Sequence, residues 1–128
     1  MSRAYFDSSA IFKLAHSERE SLALIEYLEQ GSNQITTSVV GEIEVVRNLR
    51  HRQLDDDDAV TGFYLIGLDQ DIRRSAIELG DGRLKALDAI HIATALAIGD
   101  RDLHFITYDD RQADAARQAG LKVVQPGR

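Results

Sequence analysis

Five short apolar segments alternate with helical segments along the chain, and this alternation most constrains the fold. The segments predicted as strands are residues 4–6, 34–37, 63–68, 104–107 and 122–124. Between them, apolar residues recur at helical spacing, and the apolar stretch 87–98 predicts a central buried helix. Strands that alternate with helices form a mainly parallel sheet covered by helices on both faces. The sequence therefore predicts an α/β/α sandwich.

The composition is that of one globular domain spanning residues 1–128. No linker or repeat interrupts the 128 residues, and Pro126 is the only proline. The absence of cysteine excludes a disulfide scaffold, a thiolate zinc site and a cysteine nucleophile. No apolar stretch approaches the ~20 residues that span a bilayer, and the N-terminus lacks the apolar core of a signal peptide. A cytoplasmic protein is the expectation.

The net charge of −6 disfavours nucleic-acid binding through a strongly basic surface. A protein of this charge can act on a polyanion if something offsets the repulsion. A bound divalent cation would do so.

Three aspartates stand where strands end or helices begin. Asp7 and Asp109 directly follow predicted strands, and the carboxyl ends of parallel strands form the sites of open α/β sheets. Asp88 lies near the start of the most apolar helix. Each has a structural alternative, because aspartate is a common helix N-cap. Ser8 or Ser9 competes with Asp7 for the cap.

The helix predicted over residues 39–50 carries two glutamates of different character. Its apolar stripe is interpreted as Val39, Ile43, Val46 and Leu49. Glu42 projects from that stripe, where burial would be costly unless the carboxylate is paired or bound to a cation. The alternative is a solvent-facing residue favoured by the helix dipole. Glu44 is expected on the polar face as a partner of Arg47 or Asn48.

His91, one turn after Asp88, has two interpretations. On so apolar a helix it is expected to be a hydrogen-bonded core histidine, with metal ligation as the less favoured alternative.

Four segments in order resemble the PIN-domain ribonucleases of the VapC type, the toxins of bacterial toxin–antitoxin pairs. They are "YFDSSAIFKLAHSE", "TTSVVGEIEVVR", "LKALDAIHIATALAIGD" and "FITYDDRQADAARQAGLKVV". The resemblance covers essentially the whole chain and implies that fold. It matches Ser38 and Thr107 to family hydroxyl positions, and the following acids to the family's metal site: Asp7, Glu42, Asp88 and Asp109. The stretch 51–63 is shorter than in many relatives, which bears on substrate contacts there.

The resemblance also implies an activity, a cofactor and partners. The activity is hydrolysis of RNA phosphodiester bonds with Mg²⁺ or Mn²⁺, for which carboxylate oxygens are suitable ligands. Asp7 and Asp88 would hold the principal ion, Glu42 would assist or orient water, and Asp109 would complete the site or help to bind a second ion. The expected partners are RNA, a cognate antitoxin and a second copy of the chain. Candidate substrate contacts are Ser8, Lys13, Arg47 and Thr107.

Three other functions remain open on the sequence. A phosphoacceptor receiver domain is also small, acidic and magnesium-dependent, and would use Asp69 after the third strand as acceptor. A PIN-like fold could serve as a binding module without catalysis. A PIN nuclease could instead act in RNA maturation or on DNA.

Overall fold

A computed structural model describes residues 2–31 and 34–128 of the chain. Five parallel strands form one sheet in the order β3-β2-β1-β4-β5. The strands are β1 (Arg3–Phe6), β2 (Gln34–Ser38), β3 (Tyr64–Ile66), β4 (His104–Ile106) and β5 (Lys122–Val124). All five predicted strands are present, and the predicted α/β class with a parallel sheet is confirmed.

Six helices connect the strands in the described part of the chain. They are α1 (Ser8–Ala15), α2 (Ser21–Gly31), α3 (Val39–His51), α4 (Gln70–Glu78), α5 (Ala86–Ala97) and α6 (Asp110–Gln118). None of the helices in residues 2–31 and 34–128 is long and apolar enough to cross a bilayer.

The central strand β1 divides the core into two halves. Side chains of a strand point alternately to its two faces. Phe6 accordingly packs with residues of α1, α2 and α3, whereas Tyr5 packs with residues of α5 and α6. Both rings are fully buried. The helices therefore cover both faces of the sheet, and their ends meet above the carboxyl ends of β1 and β4.

The strand order sets the position of the candidate site. From β1 the chain first adds strands on one side and later on the other, so that β1 and β4 are neighbours at a topological switch point. The backbone N–H of Asp7 donates to the carbonyl of Ile106 over 3.2 Å, which joins the two strand ends. Ligand sites of open α/β sheets form at such a crevice.

The same order argues against a receiver domain. Receiver domains have the order 2-1-3-4-5, which places the third strand beside the first. Here β3 is an edge strand, and Asp69 caps α4 by accepting from the backbone N–H of Ile72 over 2.8 Å. Asp69 is therefore a helix cap at the edge of the sheet, separated from Asp7 by β2.

The acidic run 55–58 follows α3 and does not form a helix. The residues form turns, in which the backbone N–H of Asp57 donates to Asp55 over 3.0 Å. Asp56 pairs with Arg50, whose Nε lies 2.6 Å from a carboxylate oxygen. Aspartate side chains bind nearby backbone groups readily, which favours turns over helix.

Candidate active site

Asp7 occupies the crevice at the end of β1. It is the N-cap of α1, and its Oδ1 accepts from the backbone N–H of Ala10 over 3.1 Å. The hydroxyl of Ser9 donates to the same oxygen over 2.6 Å, and the hydroxyl of Thr107 donates to Oδ2 over 2.5 Å. Both carboxylate oxygens are thus held, and only 4% of the residue is exposed.

Burial has the largest influence on the pKa of the Asp7 carboxyl. Burial raises the pKa of this carboxyl, and the hydrogen bonds from Ser9 and Thr107 offset only part of that effect. A cation beside the carboxylate would act in the opposite direction and favour the ionised form.

Ser9 and Thr107 support Asp7 from two elements. Ser9 accepts from the backbone N–H of Tyr108 over 2.9 Å, and Thr107 accepts from the N–H of Asp109 over 3.1 Å. Thr107 is fully buried, so the expectation that it contacts substrate is wrong. Its hydroxyl instead ties the end of β4 to Asp7.

Asp88 and Asp109 approach the crevice from two helices. Asp109, rather than Asp110, caps α6, and its Oδ1 accepts from the backbone N–H of Arg111 over 2.9 Å. Asp88 lies in the first turn of α5 and is not its cap, because Lys85 holds that position. Gln112 of α6 donates to the Asp88 carbonyl over 3.4 Å and so links the two helices.

The carboxylate of Asp88 is half-buried, and nothing in the described part of the chain donates a hydrogen bond to it. Burial raises its pKa, and the negative charges of Asp109 and Glu44 raise it further. Because their charges act on Asp88, the carboxylates of Asp109 and Glu44 lie near that of Asp88. The positive charges of His91 and Lys85 lower the pKa of Asp88 in part, and the net shift is upward.

Glu44 reaches this region through a buried hydrogen-bonded chain. Nε2 of His91 lies 2.7 Å from Oε1 of Glu44, and Nδ1 lies 2.7 Å from the hydroxyl of Tyr5. Because a carboxylate only accepts, Nε2–H donates to Glu44, and Nδ1 shares a hydrogen bond with the hydroxyl of Tyr5. The prediction that His91 is a hydrogen-bonded core histidine is confirmed. Ser8 donates to the other oxygen of Glu44 over 3.4 Å.

The assignment of Glu42 to the acidic site is wrong. Glu42 lines a separate cavity of about 470 Å³ beside Arg47 and the turns that follow α3. The apolar stripe used to place it is also wrong, since Ile43 is 55% exposed. The buried residues of α3 are Gly41, Val45 and Leu49, and Glu44 adjoins that face.

The remaining candidate contacts divide between two surfaces. Ser8 and Lys13 line a cavity of about 440 Å³ that also includes Glu44. Nζ of Lys13 lies 2.8 Å from Glu20 and 3.2 Å from Glu18, so its charge is neutralised locally. Arg47 lies in the other cavity with Glu42, and the structure gives no support to its placement as a substrate contact.

The carboxylates of four acids have the chemistry that a hard divalent cation prefers. These acids are Asp7, Glu44, Asp88 and Asp109. They supply carboxylate oxygens, which Mg²⁺ and Mn²⁺ prefer, and mutual repulsion raises the pKa of Asp88. Within residues 2–31 and 34–128, no three acidic or histidine side chains are arranged at metal-binding distance around one point. Asp7 is turned toward its hydroxyl donors and Asp109 toward its helix, so binding of an ion would require these carboxylates to reorient.

Comparison with known proteins identifies the family of this fold and site. The PIN domain model matches residues 4–118, and the chain belongs to the PIN domain family. It is 37% identical to ribonuclease VapC46 of Mycobacterium tuberculosis (strain ATCC 25618 / H37Rv), across 98% of this chain and 99% of that protein. It is 32% identical to ribonuclease VapC47 of M. tuberculosis (strain CDC 1551 / Oshkosh), across 96% of each.

Solved structures share the fold. A toxin–antitoxin complex from Klebsiella pneumoniae contains a chain 27% identical to this one, with a TM-score of 0.72 and coverage of 96% and 97%. The toxin VapC20 of Mycobacterium tuberculosis, described as cleaving the sarcin–ricin loop, has a TM-score of 0.71, covering 96% of this chain and 99% of that one. At 19% identity it supports the fold alone.

Proposed function

We propose that this protein is a divalent-metal-dependent endoribonuclease, the toxin of a toxin–antitoxin pair. Two links between acids at the switch point of a PIN-domain sheet support the proposal: Thr107 bonds both Asp7 and the backbone of Asp109, and the charges of Asp109 and Glu44 act on Asp88. The ribonuclease names of the relatives support the reaction, and the complex from K. pneumoniae supports the toxin role.

The four acids would hold Mg²⁺ or Mn²⁺, with Asp7 and Asp88 as the principal ligands. When bound, an ion of this class supplies an acidified water and stabilises negative charge on a phosphate under attack. Asp109 completes the acidic set at the start of α6. Ser9 and Thr107 hold Asp7 at the crevice, and its carboxylate would turn away from these hydroxyls to bind the ion.

Glu44 takes the role that the sequence assigned to Glu42. His91 and Ser8 hold its two oxygens, so that the carboxylate stays directed toward Asp88. In that place Oε2 of Glu44 orients the attacking water and accepts its proton. The products of the proposed hydrolysis are a 5′ phosphate and a 3′ hydroxyl.

We also propose that the protein works in the cytoplasm as one domain spanning residues 1–128 and as a homodimer bound by an antitoxin. An apolar cavity of about 280 Å³ supports the homodimer, because it lies on α4 and α5 beside Ile77, which is 83% exposed. Ile77→Lys should then shift the protein from dimer to monomer in sedimentation. A wild type that sediments as a monomer at all concentrations would contradict the dimer.

Cleavage assays with matched substrates test the proposed reaction. Transfer and ribosomal RNA, and DNA of the same sequences, are incubated with Mg²⁺, with Mn²⁺ and with EDTA. We expect cuts at few positions in RNA, abolished by EDTA and by Asp88→Asn. Cleavage that persists in EDTA would contradict the metal, and cleavage of DNA alone would contradict the substrate.

A further inference from the structure

A groove leads away from the acidic site along one face of α3. It is the cavity of about 440 Å³ that begins at Ser8 and Glu44 and extends past Asn48 to Arg52. Residues four apart lie on the same face of a helix, so Glu44, Asn48 and Arg52 form one row. With a rise of 1.5 Å per residue, the row from Glu44 to Arg52 is about 12 Å long.

Only part of the positive charge in this groove is free. Besides Lys13, the groove contains Arg128, whose Nε lies 3.1 Å from Glu20 and whose guanidinium also contacts Asp110 at 3.1 Å. Arg52 has no carboxylate partner in residues 2–31 and 34–128. Its guanidinium lies over the ring of Phe12, 5.0 Å from the ring centre, which holds it at the groove wall.

Asn48 adds a second free donor between Glu44 and Arg52. Its side-chain amide makes no hydrogen bond within the described ranges, and the residue is exposed. A planar guanidinium offers several N–H donors in a fork that matches phosphate oxygens. An amide donor at a neighbouring position on the same helix face would bind a second oxygen or the adjoining phosphate.

We propose that Asn48 and Arg52 bind backbone phosphates of the RNA strand next to the bond that is cut. The inference rests on the proposed function, because the row starts at the acidic site and an RNA strand that reaches the site must leave it along some surface. The row from Glu44 to Arg52 is about 12 Å long, which exceeds the 3.4 Å rise of one nucleotide in a stacked strand. The row can therefore accommodate more than one phosphate.

The same helix provides a matched control. Arg47 is exposed and without a carboxylate partner in the described part of the chain, but it lines the cavity on the opposite side with Glu42. Arg47→Gln and Arg52→Gln therefore remove the same charge, the first within α3 and the second at its C-cap. Only the second change affects the groove.

Binding is measured by fluorescence anisotropy with a labelled single-stranded RNA and the Asp88→Asn protein, which prevents cleavage. We expect Arg52→Gln to weaken binding about 5–10-fold and to reduce the slope of log K against log[salt] by about 0.7, the value for one phosphate contact on a single strand. Asn48→Ala should weaken binding about 2–5-fold with the slope unchanged, because the amide is neutral. Arg47→Gln should change the RNA affinity by less than about 2-fold and leave the salt slope nearly unchanged.

Several results would overturn the inference. Equal weakening by Arg52→Gln and Arg47→Gln would mean that the overall charge, and no particular groove, governs binding. Unchanged RNA affinity in Arg52→Gln and Asn48→Ala, with circular dichroism like that of the parent, would exclude the groove as an RNA site. If the variants lost affinity only for an antitoxin, the groove would be a protein interface instead. Failure of the wild type to cleave any RNA would contradict the proposed function, whereas the binding comparison remains measurable.

Discussion

Gly41 is the point at which α3 approaches the sheet and α5 most closely. A Cβ atom added there would lie 2.5 Å from Oγ1 of Thr37 and 3.2 Å from Cε1 of His91. Thr37 is fully buried, and its hydroxyl donates to the carbonyl of Phe6 over 2.7 Å, so it cannot move away without losing that bond. Gly41→Ala should therefore push α3 outward and separate Glu44 from His91.

Two opposed contributions decide the sign of the stability effect of Gly41→Ala. In an open helix position, alanine would stabilise by about 1 kcal/mol relative to glycine. Overpacking costs typically ~1–3 kcal/mol, and a buried carbonyl that loses its donor adds ~1–3 kcal/mol. The net expectation for Gly41→Ala is a loss of about 1–5 kcal/mol, or about 4–20 °C in Tm for a domain of this size.

Thermal unfolding and RNA cleavage measure the two consequences of Gly41→Ala. Gly67→Ala is the control, because a Cβ atom at Gly67 meets no atom within 4 Å. It should be neutral or stabilise by about 0.4–1 kcal/mol. If Gly41→Ala were as stable as the wild type and fully active, the close packing of α3 against Thr37 and His91 would be refuted.

Three further predictions concern charge and hydrogen bonding. His91→Leu should lower cleavage because Glu44 loses its donor, and His91→Gln, which keeps an N–H near the position of Nε2, should restore part of it; equal rates in both variants would contradict a positioning role. Hydrogen bonds from Lys13 and Arg128 hold the pKa of Glu20 at about 2, below its usual 4.5. The stability that Glu20 contributes is thus complete above pH 4.5 and is lost as pH falls toward 2, so denaturation curves of Glu20→Gln and wild type should converge in acid; a gap independent of pH would contradict this. The pKa of Asp88 is raised, so the protein without metal loses stability as pH rises above 3.8, and this loss should be smaller in Asp88→Asn. Mn²⁺ should raise the Tm of the wild type more than that of the variant, and equal shifts would exclude Asp88 as a ligand.

The alternation of strands and helices was predictable because each strand is a short apolar segment and each connection is long enough for a helix. The same pattern correctly indicated that Asp7 and Asp109 follow strands, and the sheet order brings those strands together. The helix caps were not all predictable. Asp109 and Asp110 can both accept from the first turn of α6, and only the path of the chain selects Asp109 as the cap.

The face of α3 was not predictable from hydrophobic periodicity. Gly41 has no side chain to contribute to a stripe, yet its lack of Cβ is what allows the closest approach to the core. Ile43 and Val46 suggested the wrong face, and Ile43 is largely exposed. Glu44 was assigned to solvent because its partner, His91, lies 47 residues further along the chain, and only the folded structure brings them together.

Cleavage by two isosteric variants of neighbouring glutamates tests the central claim most directly. Glu44→Gln and Glu42→Gln remove the same charge from the same turn of α3, but only Glu44 lies with His91, Ser8 and Asp88. The account predicts that Glu44→Gln loses nearly all RNA cleavage in Mg²⁺ or Mn²⁺, and that Glu42→Gln cleaves at the wild-type rate. An inactive Glu42→Gln beside an active Glu44→Gln would contradict it.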